Sequence, residues 1–227
     1  LFHKNKMYWK IGIYLIINLL AFKIGGFWLG LIALCITIYK LLEMFGIIRN
    51  IIFYRGSFGD GIVFTKDYYG PYNNLQQAFN DAKKLISTYQ LKDFLLIGIY
   101  YDKDDSPDQN KLRSSIGIYK PNRGFPDKVP EEFERYCEAN EYNKNELPNS
   151  NSIYASWEFF NVFTLMNGIK KFKSLLYSKI KDPSFKRLFK VDESKVKVIV
   201  EVYKEKEVNF YVPLLNVDKF MLFKKDK

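Results

Sequence analysis

Glu201 is the acidic side chain whose setting most suggests chemistry. It stands in a run where Val196, Val198, Val200 and Val202 alternate with Lys195, Lys197, Ile199, Glu201 and Tyr203, the two-residue period of a half-buried strand. In a sheet that alternation sets Ile199, Glu201 and Tyr203 on the face opposite the valines, so a carboxylate would lie between an aromatic and an aliphatic neighbour. That acid would look into the open groove of the sheet. Tyr54, Tyr101, Tyr119 and Trp157 are the candidate walls of such a groove. The plainer reading of all six residues is packing of an open sheet face, because strands favour aromatic side chains in any case.

Other chemistry is narrowed by composition. His3 is the sole histidine and precedes the first apolar block, which removes serine–histidine and cysteine–histidine catalysis and histidine metal sites from the rest of the chain. Two cysteines, Cys35 and Cys137, build neither a disulfide framework nor a cysteine metal site. Asp102, Asp104, Asp105 and Asp108 resemble a calcium loop but lack its glycine and terminal glutamate, so they read as a solvated turn. The glycines between Gly56 and Gly61 lack the lysine and hydroxyl of a phosphate loop. The net charge of +10 comes from scattered lysines with no compact basic cluster and no nucleic-acid motif, so a basic surface beside anionic lipid is expected instead of a nucleic-acid partner. No catalytic residue, metal or cofactor is expected.

The elements that must position Glu201 follow an order. Ile51 to Tyr54 reads as a strand and 56–61 as a loop; Leu75, Phe79, Ala82, Ile86 and Tyr89 mark an amphipathic helix over about 75–89, with Asn73-Asn74 able to cap it. Phe94–Tyr101 and Leu112–Tyr119 are strands. A connector with Pro121, Pro126, Pro130 and Pro148 holds a short helix over about 131–138. The pattern then recurs: a strand from Ser152 to Trp157, a helix over about 159–181, and strands ending at Tyr203 and Val212. Two β-α-β-β units each leave a helix face to bury, so the economical α+β fold joins them in one antiparallel sheet with both helices on one side and a concave groove on the other.

Ahead of this domain, Ile11 to Tyr39 is 29 residues with one charge, Lys23. A span needs about 20 apolar residues, so the block is long for one helix and short for two. Gly25-Gly26 suggests a hairpin with arms of about Met7–Phe22 and Phe27–Met44 and Lys23 at the turn, away from the midplane where it would cost roughly 3 kcal/mol; one long tilted helix is the alternative. Trp9 and Trp28 lie where interfacial aromatics belong, and Lys4, Lys6, Lys10, Lys40 and Arg49 put both ends on the same side, cytosol or matrix. The organisation expected is an anchor over 1–49, one domain over 50–223 and a basic tail over 224–227, with sequence upstream of Leu1 left open.

The order β-α-β-β twice over, Gly56-Ser57-Phe58-Gly59-Asp60-Gly61, Ile99-Tyr100-Tyr101-Asp102, Arg113 before Ser114-Ser115-Ile116-Gly117, Glu201-Val202-Tyr203 and Phe210-Tyr211-Val212-Pro213 together resemble the GyrI-like effector-binding domain family. The resemblance implies a non-enzymatic domain, and among its membrane-anchored members a receptor for autophagy of the endoplasmic reticulum. That role rests on a long acidic tail, whereas Lys224-Lys225-Asp226-Lys227 is basic. In the family's drug sensors a groove acid, matched here by Glu201, meets cationic aromatic ligands. Its hydrolases carry a tryptophan where this chain has Leu165-Met166-Asn167, which argues against hydrolysis. The expected role is therefore protein–protein interaction at an organelle membrane, that of a mitochondrion or of the endoplasmic reticulum, with the bilayer and other membrane-complex subunits as partners. A small-molecule sensor or hydrolase using Glu201 is the alternative.

Overall fold

The computed structural model describes residues 2–103, 106–122, 129–191 and 193–223, and within the first helix the side chains of Trp9 and of residues 11 onward. Asp104, Asp105, Pro126, the side chains of Lys4, Lys6 and Lys10, and the tail 224–227 lie outside the described residues. In chain order the elements are α1 (Phe2–Met44), β1 (Tyr54–Phe58), β2 (Gly61–Tyr69), α2 (Gln76–Thr88), β3 (Leu95–Tyr100), β4 (Arg113–Pro121) and α3 (Glu131–Ala139). There follow β5 (Asn143–Leu147), β6 (Ser150–Glu158), α4 (Val162–Lys179), α5 (Pro183–Phe189), β7 (Ile199–Tyr203) and β8 (Glu207–Pro213). They form two compact units, residues 1–51 with 157–174, and 52–156 with 175–227.

In the first unit α1 is two arms, 2–25 and 27–44, broken at Gly26, whose φ of 68° lies in the left-handed region that glycine enters without strain. The arms fold back on each other. Asn18 Nδ2 donates to Thr37 Oγ1 at 2.7 Å and to the Tyr14 carbonyl at 2.7 Å, and Phe22 lies against the hydrogen side of Gly30. Asn18 and Thr37 are buried, while Leu19, Ile24, Trp28, Leu29 and Ile36 face outward, so the pair is polar on its seam and apolar on its exterior. Residues 11–44 are long and apolar enough to cross a membrane, with mean hydropathy 2.1. Lys23 and Gly25 sit at the turn, as a hairpin requires, and Trp9 and Trp28 are both exposed.

The second unit is built on an eight-stranded sheet of order β1-β6-β8-β7-β3-β4-β2-β5, curled and antiparallel. Its centre is the β3–β7 pair, where Gly98 lies opposite Glu201. On one side run β4 and β2, on the other β8 and β6, so each β-α-β-β repeat contributes three neighbouring strands. The outermost strands are exchanged: β1, which precedes the first repeat, pairs with β6, and β5, which precedes the second, pairs with β2. The sequence reading missed β2 and β5 and set the first strand at 51–54, where the structure starts β1 at Tyr54. The glycines at 56–61 do make a tight connection, but it falls between two strands. Asn143–Leu147 has no apolar pattern because it joins the sheet edge through its backbone. Helix α2 starts at Gln76 with Leu75 as an N-cap without a side-chain hydrogen bond, so Asn73-Asn74 form a 3₁₀ turn and not a cap.

Each sheet face has its own core. One gathers Phe64, Phe94, Ile118, Phe133 and Cys137 beneath Ala82 and Leu85 of α2. The other gathers Val63, Ile97, Ile99, Val200 and Val202 beneath a returning segment, the 3₁₀ turn Val217–Phe220 and Met221 to Phe223.

Candidate functional site

Glu201 lies on the helix-covered face and is fully buried, not in the open groove expected from sequence. The ring of Phe79, on α2, packs edge-on against Tyr203 with centroids 5.0 Å apart, which fixes the side on which Glu201 and Tyr203 sit. Both parities of β7 are apolar enough to be buried, so alternation alone does not separate the groove face from the helix face, and one of the acid's two partners, Tyr100, comes from β3. Tyr203 donates its hydroxyl hydrogen to Glu201 Oε2 at 2.5 Å. Tyr100, from β3, brings its hydroxyl into hydrogen-bonding reach of both Glu201 and Tyr203. The Tyr100 hydroxyl and the tip of Phe79 lie over Gly98, where a Cβ would crowd both.

Burial and then the adjacent Glu201 raise the Tyr203 phenol well above its ordinary pKa, and the same two causes raise Tyr100. Both phenols are thus hydrogen-bond donors at every physiological pH. Tyr100 and Phe79 were absent from the sequence-derived site. Their signal was present in the placement of Phe79 on the apolar stripe of α2 and of Tyr100 two residues after a mid-strand glycine. What hid it was the unknown pairing of β3 with β7.

The other expected groove residues do not converge on Glu201. Tyr101 and Tyr119 are on the opposite face: the Tyr101 hydroxyl meets Ser115 Oγ at 2.8 Å, Ser115 donates to Asp67 Oδ1 at 2.6 Å, and Tyr119 donates to the Gly59 carbonyl at 2.7 Å. Tyr54 is on edge strand β1, half-exposed, 6.4 Å from the Tyr154 ring. Trp157 belongs to the first unit, where its Nε1 donates to the Thr164 carbonyl at 2.8 Å and the Arg49 guanidinium lies 4.8 Å from its ring centroid. Gly46 and Gly168 both present backbone to the indole, and a Cβ at either would collide with it. Trp157 is thus a fastening between the foot of the hairpin and α4, and no groove wall.

The open face is occupied by the chain itself. Phe220 is fully buried there, Phe58 stacks on Tyr211 at 4.4 Å and packs near Phe220 at 6.0 Å, and Phe223 lies edge-on to Tyr69 at 4.8 Å and to Tyr101 at 5.7 Å. At the β3–β4 connection Arg113 forks onto Asp102, with Nε to Oδ2 at 3.0 Å and Nη2 to Oδ1 at 2.8 Å, and its backbone N–H adds a third bond at 2.7 Å. Asp102 is therefore committed to Arg113, and Asp108 Oδ1 accepts from the Asn110 N–H. Among the described residues no group of three or more histidine, cysteine or acidic side chains is arranged to hold a metal. A surface cleft of about 350 Å³ is lined by Tyr100, Asp102, Arg113, Tyr177 and Ile199.

No family model matches the sequence. No curated protein sequence matches it. Solved structures do align: the EcmrR–DNA complex in EcmrR-RPo, at 10% identity over 92% of this chain and 69% of that one, with a TM-score of 0.44; the EcmrR C-terminal domain, at 10% identity over 72% and 96%, with 0.40; and a hydrolase from Listeria innocua, at 11% identity over 71% and 90%, with 0.39.

Proposed function

We propose that this is a non-catalytic, membrane-anchored GyrI-like domain that works by binding other proteins, as an accessory subunit of a membrane complex or an adaptor on an organelle surface. The observation that carries the reading is the covered open face: residues 217–223 fill the aromatic side of the sheet, leaving no groove there for a small molecule. Glu201, the one acid suited to chemistry, is sealed under α2 with both phenols engaged. The hairpin, apolar outside and hydrogen-bonded inside, supports anchoring in a mitochondrial or endoplasmic reticulum membrane, with the flanking lysines favouring the matrix or cytosol for the sheet domain. The expected outcome of gentle detergent extraction, size exclusion and mass spectrometry is stoichiometric co-migration with other membrane subunits; migration near 27 kDa plus detergent would overturn the reading.

One observation favours a second reading, a sensor of cationic aromatic molecules. Tyr100 lines the 350 Å³ cleft and its hydroxyl is within hydrogen-bonding reach of the buried Glu201, so a ligand entering there would touch a residue that contacts the carboxyl. Under that reading Glu201→Gln abolishes binding of a flat cationic dye.

A further inference from the structure

The foot of the hairpin carries more apolar surface than an anchor needs. The second arm, 27–44, spans about 27 Å at 1.5 Å per residue, which matches the hydrocarbon thickness and sets Phe45 and Gly46 at the lipid interface. There the helix ends: the Phe45 and Ile47 N–H groups still reach back to the Leu41 and Leu42 carbonyls, and Gly46 takes a φ of 74°. Helix α4 is fixed to this point. Phe163 packs edge-on to Phe45 at 6.3 Å, Asn167 Nδ2 reaches the Phe45 carbonyl at 3.4 Å, and Lys171 Nζ holds the Ile47 and Arg49 carbonyls at 2.6 and 3.1 Å.

A residue touching Phe45 shares its depth. The turn entering α4 is therefore at the interface, and it is apolar and exposed: Phe160 48%, Val162 66% and Phe163 56%, beside Ile47 at 48%. It is also pre-shaped. Thr164 Oγ1 accepts from the Phe160 and Asn161 N–H groups, and Asn161 Oδ1 accepts from the Thr164 N–H, so the tip is held without burying its large side chains. Lys171 and the exposed Lys170 supply positive charge on α4, which anionic head groups attract, while Arg49 is ion-paired with Glu158 at 3.7 Å.

We infer that the 160–163 turn is a second membrane contact, a fixed apolar tip that enters the head-group and acyl boundary beside the hairpin and orients whatever is joined to it. The inference rests on the hairpin being embedded in a bilayer. Its occupant is lipid, since the surface is continuous with the span itself and carries basic residues at its rim.

The test uses the full chain with Cys35→Ala and Cys137→Ala, reconstituted in vesicles of phosphatidylcholine with and without phosphatidylserine. A polarity-sensitive fluorophore is placed at Phe163→Cys, in a second variant at Val162→Cys, and in a control at Trp28→Cys; folding of each is checked by near-ultraviolet circular dichroism. The expected result is blue-shifted emission from 162 and 163, quenched by lipids brominated near the head group and strengthened by phosphatidylserine. Water-like, unquenched emission at 162 and 163 while position 28 reports lipid would overturn the second contact and leave the anchor standing. Water-like emission at position 28 as well would remove the anchor and the inference together.

Discussion

The two faces of the sheet are closed in opposite ways. Under α2 the cover is a helix, and the face beneath it carries a carboxyl group with one phenol bonded to it and a second within reach. Under residues 217–223 the cover is a short 3₁₀ turn and an extended segment, and the face is mostly aliphatic and aromatic, with the buried Tyr101–Ser115 pair among them. In a low-dielectric interior a polar group is tolerated only with its partners in place, so the first face depends on geometry. The second depends on area removed from water, which is indifferent to direction. The first face is therefore the more direction-dependent one, while uncovering the second would expose mainly apolar area and break the bond from the Leu222 backbone to the Tyr101 hydroxyl.

Four measurements would break or sharpen this contrast. The largest effect is expected from Phe220→Ala, which empties the centre of the aromatic face and should lower unfolding free energy by about 3–5 kcal/mol, with new binding of a hydrophobic dye; an unchanged stability would mean the segment is only draped over the sheet. Next is alkaline pH. Tyr100 and Tyr203 have folded pKa values raised above their unfolded value near 10, so their stabilising contribution is complete below pH 10 and is lost as pH rises from there towards the folded values. Each tyrosine should steepen the loss by about 1.4 kcal/mol per pH unit in that window, and Tyr100→Phe with Tyr203→Phe should flatten it in urea titrations. Tyr203→Phe at neutral pH removes the donor to Glu201 and should cost about 1–3 kcal/mol. The smallest effect is expected from Glu201→Gln, which keeps an acceptor for Tyr203 and should shift stability by about 1 kcal/mol or less; a loss as large as that of Phe220→Ala would show that the polar face carries the fold.

Much of the scaffold was legible because its signals are local. The alternation around Val200, the helical stripe of Phe79 and Ala82, and the Gly25-Gly26 break all act within a few residues. The site was not legible for a physical reason of the opposite kind. Whether Glu201 faces a helix or a groove is decided by which strand lies beside β7 and by Tyr100, about a hundred positions earlier in the chain. Trp157 was misassigned because a strand tryptophan looks the same whether it walls a groove or is gripped by Gly46 and Gly168. Helix α5 escaped the periodicity search by being short, although Asp182, whose Oδ1 accepts the Ser184 N–H, followed by Pro183 was a readable start signal.

The exchanged edge strands have a consequence for how the protein is made. Tyr54 of β1 finds Tyr154 of β6, and Gly98 finds Glu201, so the sheet's edge and its centre both wait for chain synthesised about a hundred residues later. Closing such loops is slow, and at a synthesis rate of about 5–20 residues per second the first repeat must persist for seconds without its second half. During that interval the apolar hairpin, first in chain order, has already left the ribosome, so it meets its surroundings before the sheet can close.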